Sequence, residues 1–142
     1  MDIPKKILAR QNEITRDYLS ALDIHLLDIV EGRASKMFEI KDLANVLHIH
    51  PIHLSNTIKV ATGLHPCFFF EEKIMNIAKA MLQKNDQSIS AIASLLTYDP
   101  SNFTKFFKRF ENKTPKQYRE NYLTLQEHEK LKLSPFLLKL SP

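Results

Sequence analysis

The chain has 142 residues, of which 44% are apolar and 25% charged, and its formal net charge is +4. This length suits one ordinary domain with its own core and a short extension. Gly32 and Gly63 are the only glycines, so glycine-rich phosphate loops and hairpin-rich sheets, which need several, are excluded. The single Cys67 excludes an internal disulfide and a thiolate zinc site.

Targeting and membrane signals are absent from the sequence. No apolar run follows the basic start of the chain, and no stretch approaches the ~20 apolar residues of a membrane span. We therefore expect a cytoplasmic protein with no membrane partner.

The first predicted element is a long helix over residues 5–31, ended by Gly32. Its apolar residues recur at helical spacing, and we expect its last turns to pack as the first helix of the domain. The earlier turns have no evident partner in the sequence. Two alternatives remain open for them: formation of a homodimer through this helix, and packing back onto the domain.

Two segments, beginning at Ile40 and Ile89, align without a gap at a constant offset of 49 residues. In each segment, apolar residues at helical spacing predict a short helix, a tight turn and a second helix, whose buried positions are 54, 58 and 61 or 103, 107 and 110. The identical or similar pairs include Ala44 with Ala93, Pro51 with Pro100, Leu54 with Phe103, Ile58 with Phe107, Lys59 with Lys108 and Pro66 with Pro115. The repeat predicts two helix-turn-helix units.

Turn and cap residues support this interpretation. Both second helices begin at a proline, where a fixed φ is tolerated, and Asp99 is a good cap. Gly63 and Asn112 follow the two helices and suit a left-handed terminus. His48 and Thr97 stand where the turn commonly has glycine, so we expect a turn that is less tight or mildly strained.

A linker helix is predicted from His65-Pro66 through Lys84, and a closing helix after Thr114-Pro115. At about 1.5 Å per residue the linker spans roughly 25–28 Å, enough to hold two recognition helices near the ~34 Å repeat of B-DNA.

The excess positive charge lies within residues 36–122, which contain twelve Lys and Arg residues against eight Asp and Glu. Residues 101–119 contain six cations and only one acid, Glu111. Such a field attracts polyanions. Nucleic acid is therefore the leading predicted partner.

The chain resembles the DNA-binding domain of the AraC/XylS family. The resemblance covers about residues 36–122 and rests on Leu43-Ala44, on HP-x-HLS at 50–55, on DPS-x-F at 99–103 and on P-x-x-YR at 115–119. It implies a transcription regulator, most often an activator, that places two recognition helices in successive major grooves, with double-stranded DNA and RNA polymerase as partners and no cofactor. Only about 35 residues precede the resembling segment, so we do not expect the family's usual N-terminal effector-binding barrel within this sequence, which leaves open a small stand-alone member or an excised domain.

The expected fold is all-α, with two homeodomain-like helix-turn-helix subdomains joined by a long central helix and preceded by an extra N-terminal helix. We expect an N-terminal extension over 1–35, the DNA-binding domain over 36–122 and a C-terminal tail over 124–142. Within the domain, the expected segments are a first motif over 38–63, the linker helix over 66–84, a second motif over 88–112 and the closing helix over 115–123.

The predicted DNA contacts lie on the outward faces of the two recognition helices and in the basic segment that follows. In the family that the chain resembles, the positions that contact bases and phosphates fall on the outward face of the first recognition helix, and the second recognition helix has a corresponding face. The Asn56 amide suits an adenine edge, and the Lys105 ammonium suits a guanine edge. The predicted residues are Ile52, Ser55, Asn56, Lys59, Ser101, Thr104, Lys105, Lys108, Arg109, Lys113 and Arg119. The first recognition helix has one cation and the second has three.

Three other interpretations are weighed against this prediction. His48, His50 and His53 have a spacing that invites a metal site, but no carboxylate or cysteine completes a tetrahedron, and we expect no metal. An enzyme is not indicated, since no nucleophile–base pair or paired acidic motif is present. The alternative is a helical adaptor that binds protein and has lost specific DNA binding. The favoured interpretation is a sequence-specific regulator in the cytoplasm, associated with the bacterial nucleoid.

Overall fold

The computed structural model describes residues 4–140, and the side chains of residues 4–132. Seven helices and no strands are found within this range, which confirms the all-α prediction. The helices are α1 (Lys5–Val30), α2 (Ile40–Val46), α3 (Pro51–Thr62), α4 (Pro66–Lys84), α5 (Ile89–Leu95), α6 (Pro100–Glu111) and α7 (Pro115–Leu140). The pairs α2–α3 and α5–α6 are the two helix-turn-helix motifs.

The chain divides into two compact units. Unit 1 contains Met1–Asn76 and Leu95–Thr97, and unit 2 contains Ile77–Ser94 and Tyr98–Pro142. The long helix α4 spans the residues of the predicted linker and contributes its first part to unit 1 and its last part to unit 2.

In unit 1, α1 packs against α2 and α3. The face of α1 that contains Tyr18 and Leu22 is buried together with Leu54 and Ile58 of α3. The Tyr18 hydroxyl donates a hydrogen bond of 2.9 Å to the carbonyl of Pro66, and burial raises the pKa of this phenol. The buried residues of α1 lie along one face from Ile14 to Ile29, so this part of the helix contributes to the core of unit 1.

His25 lies near the end of α1 and is buried. Its ring stacks on Phe38 with 3.9 Å between the ring centres, and its Nε2 accepts a 2.9 Å hydrogen bond from the Phe38 backbone N–H. Burial lowers the pKa of His25, although Asp28 and Asp42 act in the opposite direction. The neutral imidazole therefore links the α1 helix to the segment that precedes α2.

The core of unit 2 is rich in aromatic residues. Phe103 and Phe107 of α6 are fully buried, and the Phe107 ring meets Tyr118 of α7 edge to face at 5.5 Å between centroids. Lys79 of α4 forms a 2.6 Å ion pair with Glu111 at the end of α6.

α7 begins at Pro115, as the expected closing helix does, and runs through to Leu140 instead of ending at 123. Every side chain from Thr124 to Lys132 is exposed. The rest of the predicted tail has side chains outside the described residues.

The turns of the two motifs have the same backbone geometry. The N–H of Ile49 donates to Ala44 O at 3.0 Å, and the N–H of Tyr98 donates to Ala93 O at 2.8 Å. His48 and Thr97, the equivalent residues just before these donors, have positive φ angles of 56° and 68°. Of the two alternatives expected for these turns, strain is therefore the correct one.

No helix in the described part of the chain combines the length and the apolar character that crossing a bilayer requires.

Candidate nucleic-acid interface

Both recognition helices, α3 and α6, start with a side-chain cap followed by proline. The His50 Nδ1 accepts a hydrogen bond from the N–H of Ile52, and the Asp99 carboxylate accepts one from the N–H of Ser101. The helices end at Gly63 and Asn112, whose left-handed φ angles of 76° and 60° confirm the predicted termini. The repeat therefore yields two helices of twelve residues each with matched boundaries.

The buried faces differ slightly from the prediction. Positions 57 and 106 are buried, as Thr57 and Phe106, whereas the predicted Ala61 and Phe110 are only half-buried. In α6 the reason is an aromatic stack, because the Phe106 ring lies against Tyr98 at 5.1 Å between centroids. The buried face of each helix is therefore wider than predicted and ends about one turn earlier, at position 58 or 107.

The outward face of α3 presents predicted contact residues. Ile52, Asn56 and Lys59 are exposed, and Ser55 is half-buried. An asparagine amide can form two hydrogen bonds with adenine, and an aliphatic side chain can contact the thymine methyl group. His53, which is not among the predicted contacts, is also exposed beside them.

The outward face of α6 is more basic. Ser101, Lys105, Lys108 and Arg109 are exposed, and Thr104 is half-buried with its hydroxyl donating to Pro100 O at 3.0 Å. Asn102, the equivalent of His53 at the offset of 49 residues, is exposed and is likewise not among the predicted contacts. Comparing the two repeats position by position could have identified both residues.

The electrostatics of unit 2 favour an anionic ligand. Among the residues that the structure describes, no ion pair engages Lys105, Lys108 or Lys113. The one acid in residues 101–119, Glu111, is paired with Lys79. The guanidinium of Arg109 lies over the rings of Phe106 and Phe110, 5.8 and 5.3 Å from their centroids. A cation stacked in this way is held in place on the surface.

Arg119 differs from the other predicted contacts. Its Nε donates to Leu82 O at 3.0 Å and its Nη2 to Gln87 O at 2.7 Å. These bonds tie α7 to the end of α4 and to the loop that follows. The geometry therefore gives Arg119 a structural task that the sequence did not indicate.

The three histidines do not form a metal cluster. His50 caps α3, His48 adopts the left-handed turn conformation, and His53 lies on the outer side of α3. No group of three potential metal ligands is brought together among the described residues.

Comparison with known proteins identifies the family. A family model described as a helix-turn-helix domain matches residues 43–121, more than half of the chain. The chain belongs to the AraC-type helix-turn-helix family. Residues 43–121 are therefore a DNA-binding helix-turn-helix domain of the type found in HTH-type transcription regulators.

Individual relatives agree with this assignment. The chain is 30% identical over 89 residues to the uncharacterized HTH-type transcriptional regulator YobQ of Bacillus subtilis, covering 60% of this chain and 37% of YobQ. It is 32% identical over 82 residues to the uncharacterized HTH-type transcriptional regulator YisR of the same organism, covering 57% of this chain and 29% of YisR. The chain thus spans about a third of the length of these relatives.

A solved structure has the same fold. The C-terminal domain of AraT, a response regulator from Geobacillus stearothermophilus, superposes with a TM-score of 0.65 at 25% sequence identity. The superposition covers 76% of this chain and 84% of that domain. It confirms the fold class that the repeat predicted.

Proposed function

We propose that this protein is a sequence-specific transcription regulator whose α3 and α6 helices read two successive major grooves. The observation that carries this proposal is the matched exposure of Asn56 on α3 and Lys105 on α6. These residues occupy outward positions on helices with equal boundaries and equivalent caps. Side chains of these types can discriminate between base pairs through major-groove edges.

Affinity is expected to come from the phosphate backbone. The proposed phosphate contacts are Lys59, Lys108, Arg109 and Lys113, to which Lys105 adds one base contact. Arg119 remains a proposed phosphate contact. It would use the guanidinium N–H groups that do not donate to the carbonyls of Leu82 and Gln87. If about five to seven phosphates are engaged in total, log K falls with log salt with a slope near −4.5 to −6.

The test is selection from a random duplex library, followed by titration of the winning duplex and a scrambled control at several salt concentrations. Two enriched boxes about 10–11 base pairs apart are expected if both helices read sequence. One box would limit sequence reading to a single motif. No enrichment, together with a flat salt slope, would contradict the proposal.

The regulatory role is part of the same proposal. In the cytoplasm of a bacterium, at the nucleoid, the bound protein would activate transcription through RNA polymerase. A reporter fused to a selected site tests the sign of regulation, since repression in the presence of the protein would overturn the activator role.

Homodimerisation through α1 is testable by light scattering, although the buried face of α1 already packs within unit 1.

One observation favours the adaptor as a second candidate. Ile52, Val60 and Leu64 around the outer side of α3 are 65%, 61% and 41% exposed, where the second repeat has Ser101, Arg109 and Lys113. Exposed apolar side chains at positions where the second repeat has polar or basic ones favour a protein-binding surface on this side of unit 1. Concentration-dependent mass without salt-sensitive DNA binding would favour this function.

A further inference from the structure

The two recognition helices differ in how much phosphate they can neutralise. The exposed cations are Lys105, Lys108 and Arg109 on α6, but only Lys59 on α3. Each neutralised phosphate releases counterions, and this release supplies most of the sequence-independent affinity for DNA. α3 would therefore bind the DNA major groove weakly unless another element of unit 1 adds positive charge beside it.

The first turns of α1 lie beside α3. A shallow cavity of about 260 Å³ is lined by Lys6, Arg10 and Ile14 of α1 together with His53 and Thr57 of α3. The lining is mainly apolar, so the aliphatic stems of Lys6 and Arg10 cover it, while both residues remain exposed. The N-terminal turns that had no evident partner in the sequence are thus placed against the recognition helix.

The position of His53 on α3 fixes which side of the helix these cations flank. Successive residues of an α-helix are about 100° apart, so His53 lies between buried Thr57 and exposed Asn56 on the helix surface. Lys6 and Arg10 therefore border the outward face of α3 that contains Asn56. A recognition helix in the major groove has the sugar-phosphate backbones of the groove walls at its sides.

The local charge fits an anionic partner. Residues 4–12 contain Lys5, Lys6 and Arg10 and no acidic residue. Arg10 forms a 3.0 Å ion pair with Glu13, but the side chains are 58% and 52% exposed. An exposed pair of this kind contributes little and leaves the guanidinium able to bind phosphate.

We propose that Lys6 and Arg10 of α1 contact the DNA backbone at the edge of the groove that α3 enters, and so supply the charge that α3 lacks. The inference rests on the proposed DNA-binding function and adds an element outside the segment that matches the family model, residues 43–121. It assigns a function to the first turns of α1.

The test compares two double variants that remove equal charge from one helix. Lys6→Gln with Arg10→Gln alters the side of α1 that borders α3. The matched control is Lys5→Gln with Arg16→Gln, because helical geometry puts these exposed residues on the side opposite to buried Ile14. A charge-preserving variant, Lys6→Arg with Arg10→Lys, shows whether the effect depends on charge, and circular dichroism melting checks that all variants fold.

The readout is the slope of log K against log salt on the duplex selected by the wild-type chain. Lys6→Gln/Arg10→Gln is expected to reduce the slope by about 2, at about 0.9 for each lost phosphate contact. It should weaken selected and scrambled duplexes by the same factor. The control pair and the charge-preserving pair should keep the wild-type slope.

The inference is overturned if Lys6→Gln/Arg10→Gln keeps the wild-type slope, or if both charge-removing pairs reduce the slope equally, which would indicate a general effect of net charge. These results leave the proposed function intact, since the wild-type chain still binds with a steep slope. A flat slope for the wild-type chain would overturn the proposed function itself, and the inference with it.

Discussion

His48 and Thr97, 49 residues apart, adopt the same left-handed backbone conformation, with φ angles of 56° and 68°. Both side chains are exposed, so little packing compensates for the strain. A β-branched residue such as Thr97 is an outlier in this region, because its Cβ crowds the neighbouring carbonyl oxygen. The turn geometry of the motif is therefore retained at a cost in stability.

Thr97→Gly is expected to stabilise the protein. Relief of left-handed strain contributes about 1–2 kcal/mol, and the greater freedom of glycine in the unfolded chain offsets roughly 0.5–1 kcal/mol of this. Chemical denaturation should thus show a net gain of about 0.5–1 kcal/mol. Asn112→Gly is the control, with little expected change, because asparagine tolerates its φ of 60°. A loss of stability in Thr97→Gly would mean that the threonine side chain makes contacts that outweigh the strain.

Arg119→Met is expected to reduce the stability of the protein by about 1–3 kcal/mol, because it deletes charged hydrogen bonds to two carbonyl oxygens. Lys116→Met, an exposed change on the same helix, should stay within about 0.5 kcal/mol of wild type. Denaturation curves measure both effects. Unchanged stability together with a salt slope reduced by about 1 would instead make Arg119 a phosphate contact.

Lys105→Ala should weaken binding to the selected duplex by about 1–3 kcal/mol and relax the preference at one position of the site. Lys113→Ala, by contrast, should weaken the selected and the scrambled duplex alike, as expected for a phosphate contact. Titration of both duplexes separates the two behaviours. Equal losses on both duplexes for Lys105→Ala would show that Lys105 contacts a phosphate rather than a base.

Acidification should destabilise unit 1 through His25. Burial lowers the pKa of His25 in the folded state below its ordinary value, so the unfolded chain binds the proton more readily. The stability contributed by neutral His25 is present above about pH 6.5 and is lost as the pH falls through the folded pKa. Protonation also removes the acceptor for the Phe38 N–H.

His25→Gln tests this linkage. Its melting temperature should fall less than that of the wild type between about pH 7.5 and about pH 5.5. His53→Gln, an exposed substitution in α3, is measured in parallel as the control. Identical pH profiles for the wild type and His25→Gln would show that His25 does not carry the effect.

The parts of the fold that depend on local sequence were predictable. The repeat places Ala44 and Ala93 where the helices of each motif meet, and proline with Gly63 or Asn112 marks the helix boundaries. These features depend on residues close together in the chain. These local features predict the all-α fold class and the linker helix over 66–84. They also predict which positions of the two recognition helices face outward.

Other features depend on residues that only the folded chain brings together. Arg119 reaches a carbonyl 37 residues earlier in the sequence, and no periodicity marks such a bond. The burial of Phe106 depends on its stack with Tyr98, outside its own helix. The contact between the first turns of α1 and α3 likewise joins segments more than forty residues apart.

The hydroxyl bond of Tyr18 to Pro66 has a practical consequence for spectroscopy. The chain has no tryptophan and four tyrosines. The other three, Tyr98, Tyr118 and Tyr122, belong to unit 2, so Tyr18 is the single tyrosine of unit 1. Because its pKa is raised by burial, its phenol resists ionisation in alkali until unit 1 opens. The ultraviolet difference between the wild type and Tyr18→Phe therefore reports the unfolding of unit 1 without any added label.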